Sequence, residues 1–203
     1  MKTKKIFRAL FTLTCLLQAG QAFAGTNPLA NTTITATYNG VGDGAMFGLD
    51  YVNSLLSSPL SVTNVTQIDP TDNPVNVEFT TGDSFFDIGF SKSGLVTFEN
   101  LTIDGSVPGG PVLMTFDFSG LSQNITGFSV ANTSTISGAP IFSVINGHSI
   151  SADLTNVTWN GIAFNSGLTA QLAFASPVPE PTTSAMLLAG LAVLGLSRRN
   201  QRK

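Results

Sequence analysis

Between residues 25 and 177, apolar and polar positions alternate with a period of two along most of the chain, the pattern of strands with one buried and one wet face. Val112, Met114, Phe116 and Phe118 alternate with Leu113, Thr115 and Asp117. Phe86, Ile88 and Phe90 alternate with Asp87 and Gly89, and Leu168, Ala170, Leu172 and Phe174 with Thr169, Gln171 and Ala173. Further strands are predicted over 32–38, 62–68, 75–80, 95–103, 125–130, 141–145 and 148–159. Turn chemistry separates them at Asp43-Gly44, Asp69-Pro70, Asn73-Pro74, Gly82-Asp83, Asp104-Gly105, Asn146-Gly147 and Asn160-Gly161. The last two are the best hairpin candidates, because both central residues of a type I′ turn need positive φ. One stretch departs from the period: Phe47, Tyr51 and Leu55 recur every four residues and predict a short helix over 47–56. Roughly ten short strands without long crossover helices predict an all-β fold, an antiparallel β-sandwich with a jelly roll as one arrangement, and argue against a parallel βαβ fold.

The two ends of the chain lack this alternation. Lys2, Lys4, Lys5 and Arg8 precede a mostly apolar run over 9–17, and Ala22 and Ala24 place small residues at the two positions a signal peptidase reads, so cleavage after Ala24 is expected. Cys15, the one cysteine, leaves with that leader, and its neighbours Thr14, Leu16 and Leu17 do not make a lipid-attachment site. The mature domain then depends on no disulfide and no thiolate metal site. At the other end, Pro179 and Pro181 flank Glu180 and hold that stretch extended. An apolar run over 185–196 follows, without the polar stripe of a surface helix. A helix over 182–197 would span roughly 24 Å, slightly short of the hydrocarbon core of about 30 Å. Arg198, Arg199, Arg202 and Lys203 come next; they would stay on the cytoplasmic side and leave the Pro-Glu-Pro element at the outer face. The chain therefore divides into a signal peptide (1–24), a β domain (25–175), a proline-rich linker (176–181), and a transmembrane helix with a basic tail (182–203).

Pro179, Glu180 and Pro181, the apolar run and the arginines after it resemble the PEP-CTERM sorting signal of Gram-negative bacteria. The resemblance covers the tail alone, and Asn200 and Gln201 interrupt the basic end. It implies an exosortase as partner, a membrane enzyme that cuts near the Pro-Glu-Pro. It also implies transient anchoring in the inner membrane, then delivery to the cell surface or beyond, in bacteria that make exopolysaccharide or biofilm.

With both ends removed, the charge changes sharply. The span 25–177 holds Lys92 as its one cation against eleven of the twelve acids, a formal charge of minus 10. Such a domain repels nucleic acid and anionic lipid, whose recognition needs cationic neutralisation of phosphate.

Candidate chemistry is sparse. His148 is the one histidine and cannot build a multi-histidine zinc site. Asp153 lies five residues on and serines are many, but no Gly-x-Ser-x-Gly elbow occurs. Glu78 and Glu99 are the glutamates available for a glycosidase pair. Asp69, Asp72 and Asn73 offer oxygen ligands without EF-hand spacing. Trp159, Tyr38 and Tyr51 are too few for an aromatic sugar platform, and the domain's twelve phenylalanines are expected in the core. Sequons at Asn31, Asn64, Asn100, Asn124, Asn132 and Asn156 match a glycosylation pattern that composition alone also produces. No catalytic residue, metal site or cofactor is expected. The sequence points to an exported, non-catalytic surface or matrix protein associated with exopolysaccharide. The alternatives are a carbohydrate- or ice-binding module, which needs a flat array of aromatic or threonine side chains, and a secreted hydrolase.

Overall fold

The computed structural model describes residues 27–49, 63–68, 77–107, 109–160, 165–176 and 190–191. Among these the fold is all-β, as expected, with thirteen strands in antiparallel pairings: β1 Thr33–Tyr38, β2 Met46–Gly48, β3 Val65–Gln67, β4 Phe79–Thr81, β5 Phe86–Phe90, β6 Leu95–Asn100, β7 Leu113–Ser119, β8 Ile125–Thr133, β9 Ile136–Gly138, β10 Ile141–Asn146, β11 Ser149–Asp153, β12 Val157–Trp159 and β13 Asn165–Phe174. A five-stranded sheet runs β10-β11-β7-β1-β3, and a six-stranded sheet runs β2-β4-β5-β6-β13-β8. The short ribbon β9-β12 is separate from both.

The alternation read from the sequence is what makes two sheets face each other. Phe86, Ile88 and Phe90 of β5 and Met114, Phe116 and Phe118 of β7 turn inward and are buried, while Asp87, Thr115 and Asp117 turn outward. Rings from opposite sheets meet in the middle. Phe116 lies 5.9 Å from Phe79 and 5.1 Å from Phe90, and Phe90 lies 5.7 Å from Phe118, the last two edge to face. A second crossing joins Phe142 of β10 to Phe98 of β6 at 5.7 Å and to Phe128 of β8 at 4.6 Å. Each buried ring contributes about 1.5–3 kcal/mol through removal of apolar surface from water, and edge-to-face packing adds to it.

Local chemistry explains where elements stop. The strand expected over 148–159 is two strands, because the Asp153 carboxylate accepts from Thr155 N at 2.9 Å and Val157 N bonds Leu154 O at 3.0 Å, closing a turn between β11 and β12. β6 ends at Asn100, whose side chain accepts from Thr102 N and hydroxyl at 2.9 and 2.6 Å. Phe47, expected to open a helix, is in β2; Tyr51 and Leu55 lie outside the described residues.

The turns also differ from those the dipeptides predict. Asn146-Gly147 does sit at a hairpin, between β10 and β11, but neither residue has positive φ. Asn146 Oδ1 instead accepts from His148 N at 2.8 Å, an Asx turn beside a register shift. Among the described residues, the turn with two positive-φ residues is Asn39-Gly40, at 52° and 79°, where Tyr38 and Val41 exchange bonds of 2.9 and 3.0 Å. Gly161 of the other hairpin candidate lies outside the described residues.

Phe116→Ala should cost about 3–5 kcal/mol, since it opens a void where both sheets meet. Ser119→Ala, at an exposed position of the same strand, should change stability by no more than about 0.5 kcal/mol. Denaturant unfolding of the two variants checks the contrast.

Candidate functional site

Among the described residues, those with candidate chemistry do not converge. His148 is exposed at the β10–β11 turn, and its carbonyl accepts from Phe118 N at 2.8 Å. Asp153 is at the far end of β11; Ser149 to Asp153 alone spans roughly 14 Å of extended strand. Ser149 donates its hydroxyl directly to the Asp117 carboxylate. A Ser-His-Asp relay needs the imidazole between those two groups, and here nothing separates them.

The two glutamates part company. Glu78 is fully buried, and its Oε2 accepts from Phe90 N at 2.6 Å, so backbone bonding supports the carboxylate. Glu99 points to the outer face of the six-stranded sheet, opposite Asp87 of β5. That pair was not foreseen. Its only signal is the Ser91–Gly94 turn, closed by Gly94 N to Ser91 O at 2.9 Å and Ser91 N to Leu95 O at 2.8 Å, which fixes the β5–β6 register. Burial raises the pKa of Asp87 above its ordinary 3.8, opposed by a 2.6 Å hydrogen bond from the Thr80 hydroxyl. Burial and then the Asp87 charge raise Glu99 above 4.5. Among the described residues, no three His, Cys, Asp or Glu side chains cluster as a metal site; Asp69, Asp72 and Asn73 lie outside them.

Trp159 and Tyr38 are buried rather than displayed, Trp159 with its ring 6.0 Å from Phe86. Burial, and then the nearby Asp83 carboxylate, push the Tyr38 phenol upward. Tyr51 lies outside the described residues. Of the sequons, Asn100 is buried and donates its amide to Ser106 O at 2.9 Å, which removes it as a glycan acceptor.

What the topology does assemble is a hydroxyl-lined face. On the outside of the five-stranded sheet, Thr33, Thr35 and Thr37 of β1 stand beside Ser119, Asp117 and Thr115 of β7. Ser149 and Ser151 of β11 continue two of these rows, and Ser143 of β10 extends the second. Neighbours repeat at about 4.8 Å across strands and about 6.8 Å along them. The Thr37 and Thr115 hydroxyls bond each other, as do Ser149 and Asp117, which orders the middle of the array. The threonine alternation of β1 was visible in the sequence; the strand order that sets β7 and β11 beside it was not.

Residues 177–203 match the family model of the PEP-CTERM protein-sorting motif. The tail is a PEP-CTERM sorting signal. This motif implies export, with exosortase as processing partner and a membrane-anchored stage before processing. No curated protein and no solved structure matches the chain. Pro179, Glu180, Pro181, Arg198, Arg199, Arg202 and Lys203 lie outside the described residues, as do Ala22 and Ala24 of the leader. Gly190 and Leu191 of the tail are helical. No helix among the described residues is long and apolar enough to cross a membrane.

The raised carboxylates fix the sign of a pH effect. Asp87 and Glu99 bind protons more tightly folded than unfolded, so their contribution is most favourable below their ordinary values and is lost as pH rises through the window above 3.8. Asp87→Asn should therefore stabilise the domain at pH 7 by on the order of 0.5 kcal/mol, the scale of a like-charge cross-strand pair, and change little at about pH 3. Melting curves across that range test it; a variant less stable than wild type at neutral pH would reject the repulsive pair.

Proposed function

We propose that this chain is a non-catalytic structural protein of the bacterial cell surface or extracellular matrix, carried there by exosortase processing and working in contact with exopolysaccharide. The observation that carries the reading is the PEP-CTERM motif over 177–203. In the proposed route, signal peptidase cuts after Ala24, and the apolar tail halts in the inner membrane with Arg198, Arg199, Arg202 and Lys203 held inside. Exosortase then acts at Pro179–Pro181, where two prolines keep the chain extended and open to a protease. What remains is a two-layer β domain of formal charge minus 10, kept soluble among anionic polymers by its own repulsion. Removal of residues 178–203 should abolish accumulation at the surface and send the product to the periplasm. Cell fractionation, with the mature C-terminus read by mass spectrometry, checks this; unchanged surface delivery, or a mature chain that keeps its final arginines, rejects it.

A second reading draws on the hydroxyl-lined face: a module that binds carbohydrate or ice through ordered threonine and serine rows. Its support is the repeat of Thr33, Thr35 and Thr37 against β7. Replacing Thr33 and Thr35 by Val keeps the β-branched shape and deletes the hydroxyls. The pair should abolish retardation of the protein in gels cast with exopolysaccharide, or its partition into growing ice. Wild-type protein inert in both assays excludes this reading.

A further inference from the structure

The two flanks where the sheets come together are built differently. On one flank the edge strands β2 and β3 have three residues each and are stitched across: Gly48 N bonds Thr63 O at 2.9 Å, and the Thr66 hydroxyl donates to Leu49 O at 2.6 Å. On the other flank the edges are β8, of nine residues, and β10, of six, each paired on one side only. Ile125 N to Gly147 O at 2.9 Å and the Phe128–Phe142 contact hold β8 and β10 together near the β10–β11 turn. Farther along β8 no described strand covers the flank. Val130 pairs with Ala170, which is fully buried, and so faces the same interior side, yet Val130 is 44% exposed. On the outer side of β10, Ile141 and Ile145 are 55% and 58% exposed.

Long apolar edges are usually blunted by charge, and this one is not. Residues 118–152, which contain β8, β9 and β10, include no Asp, Glu, Lys or Arg, in a domain that otherwise holds eleven acids and one lysine. Two copies approaching through carboxylate-bearing surfaces bring like charges together; approach through this flank buries apolar strand against apolar strand, with Asp153, opposite Ile141 on β11, the one acid paired with either edge strand.

We infer that the β8/β10 flank is a homotypic interface, with a second copy of this chain as its partner, flank against flank across a twofold axis with Ile141, Ile145 and Val130 at its centre. The inference goes beyond the export reading and does not depend on how the chain is sorted. Net repulsion between the copies makes the contact stronger at high salt, the reverse of an association held by ion pairs.

The test uses the mature protein recovered from producing cells, with sedimentation equilibrium at low and high salt. Wild type should form a dimer whose dissociation constant falls as salt rises. Ile145→Glu should weaken it at least tenfold with unchanged circular dichroism, whereas Val65→Glu on the opposite edge β3 should not. Because the mature domain contains no cysteine, Ser143→Cys on β10 gives an independent readout: a short bis-maleimide should join two copies, and Ser84→Cys, in the β4–β5 turn, should not be joined. A wild-type monomer at all concentrations and salts overturns the inference. So does a dimer equally weakened by Ile145→Glu and Val65→Glu, or equal cross-linking at both cysteines.

Discussion

Contact between phenylalanine rings of opposite sheets is the interaction on which the domain depends. Phe79 and Phe90 come from the six-stranded sheet, Phe116 and Phe118 from the five-stranded sheet, and they meet across the layers at centroid distances of 5.1 to 5.9 Å. The exported domain has no cysteine with which to cross-link itself, so packing must hold the layers together. The seam also fixes orientation. With these rings inward, the strict period of two forces Asp87, Glu99, Thr115 and Asp117 outward, and the chemistry of both outer faces follows from the choice of core. Even the one fully buried glutamate serves this arrangement, because Glu78 bonds the backbone N of Phe90 and anchors the strand end that carries a central ring.

The fold was legible wherever one local rule governed a whole segment. Inward and outward positions of β5, β7 and β13 could be read directly, since alternation and burial are the same fact seen in sequence and in space. Segments where side chains compete with the backbone were harder. Asp153 captures Thr155 N and breaks what reads as one long strand, and Asn146 makes an Asx turn where the dipeptide Asn-Gly predicts two positive φ angles. Asn39-Gly40 does adopt that turn and carried the same dipeptide signal. These two of the three Asn-Gly pairs make different turns, which the dipeptide alone does not encode.

Surface chemistry was less legible because it depends on which strands become neighbours. Thr33, Thr35 and Thr37 declare a polar strand face, but the hydroxyl array exists only because β7 lies beside β1 and β11 beside β7. The same applies to Asp87 and Glu99, twelve positions apart and joined by a hairpin register. Sequence distance misled in the opposite sense for His148 and Asp153, near neighbours in the chain that an extended strand carries apart. The sorting motif of the tail was readable from the sequence alone, since such a signal is a linear code of motif, apolar length and charge.

Charge partitioning ties the tail to the domain. Of nine basic residues, eight sit in the two segments expected to be removed, and those segments need them: cations at each end hold a hydrophobic stretch in the correct sense across a membrane. The domain needs the reverse. In the proposed setting among anionic polymers a cationic surface would adsorb without selectivity; nearly all positive charge lies in the two segments expected to be removed, and one lysine lies in the domain. A surface made anionic in this way repels its own copies as well. An uncharged stretch long enough to form two adjacent strand edges is then a conspicuous exception, because neutrality there removes the barrier that the rest of the surface maintains.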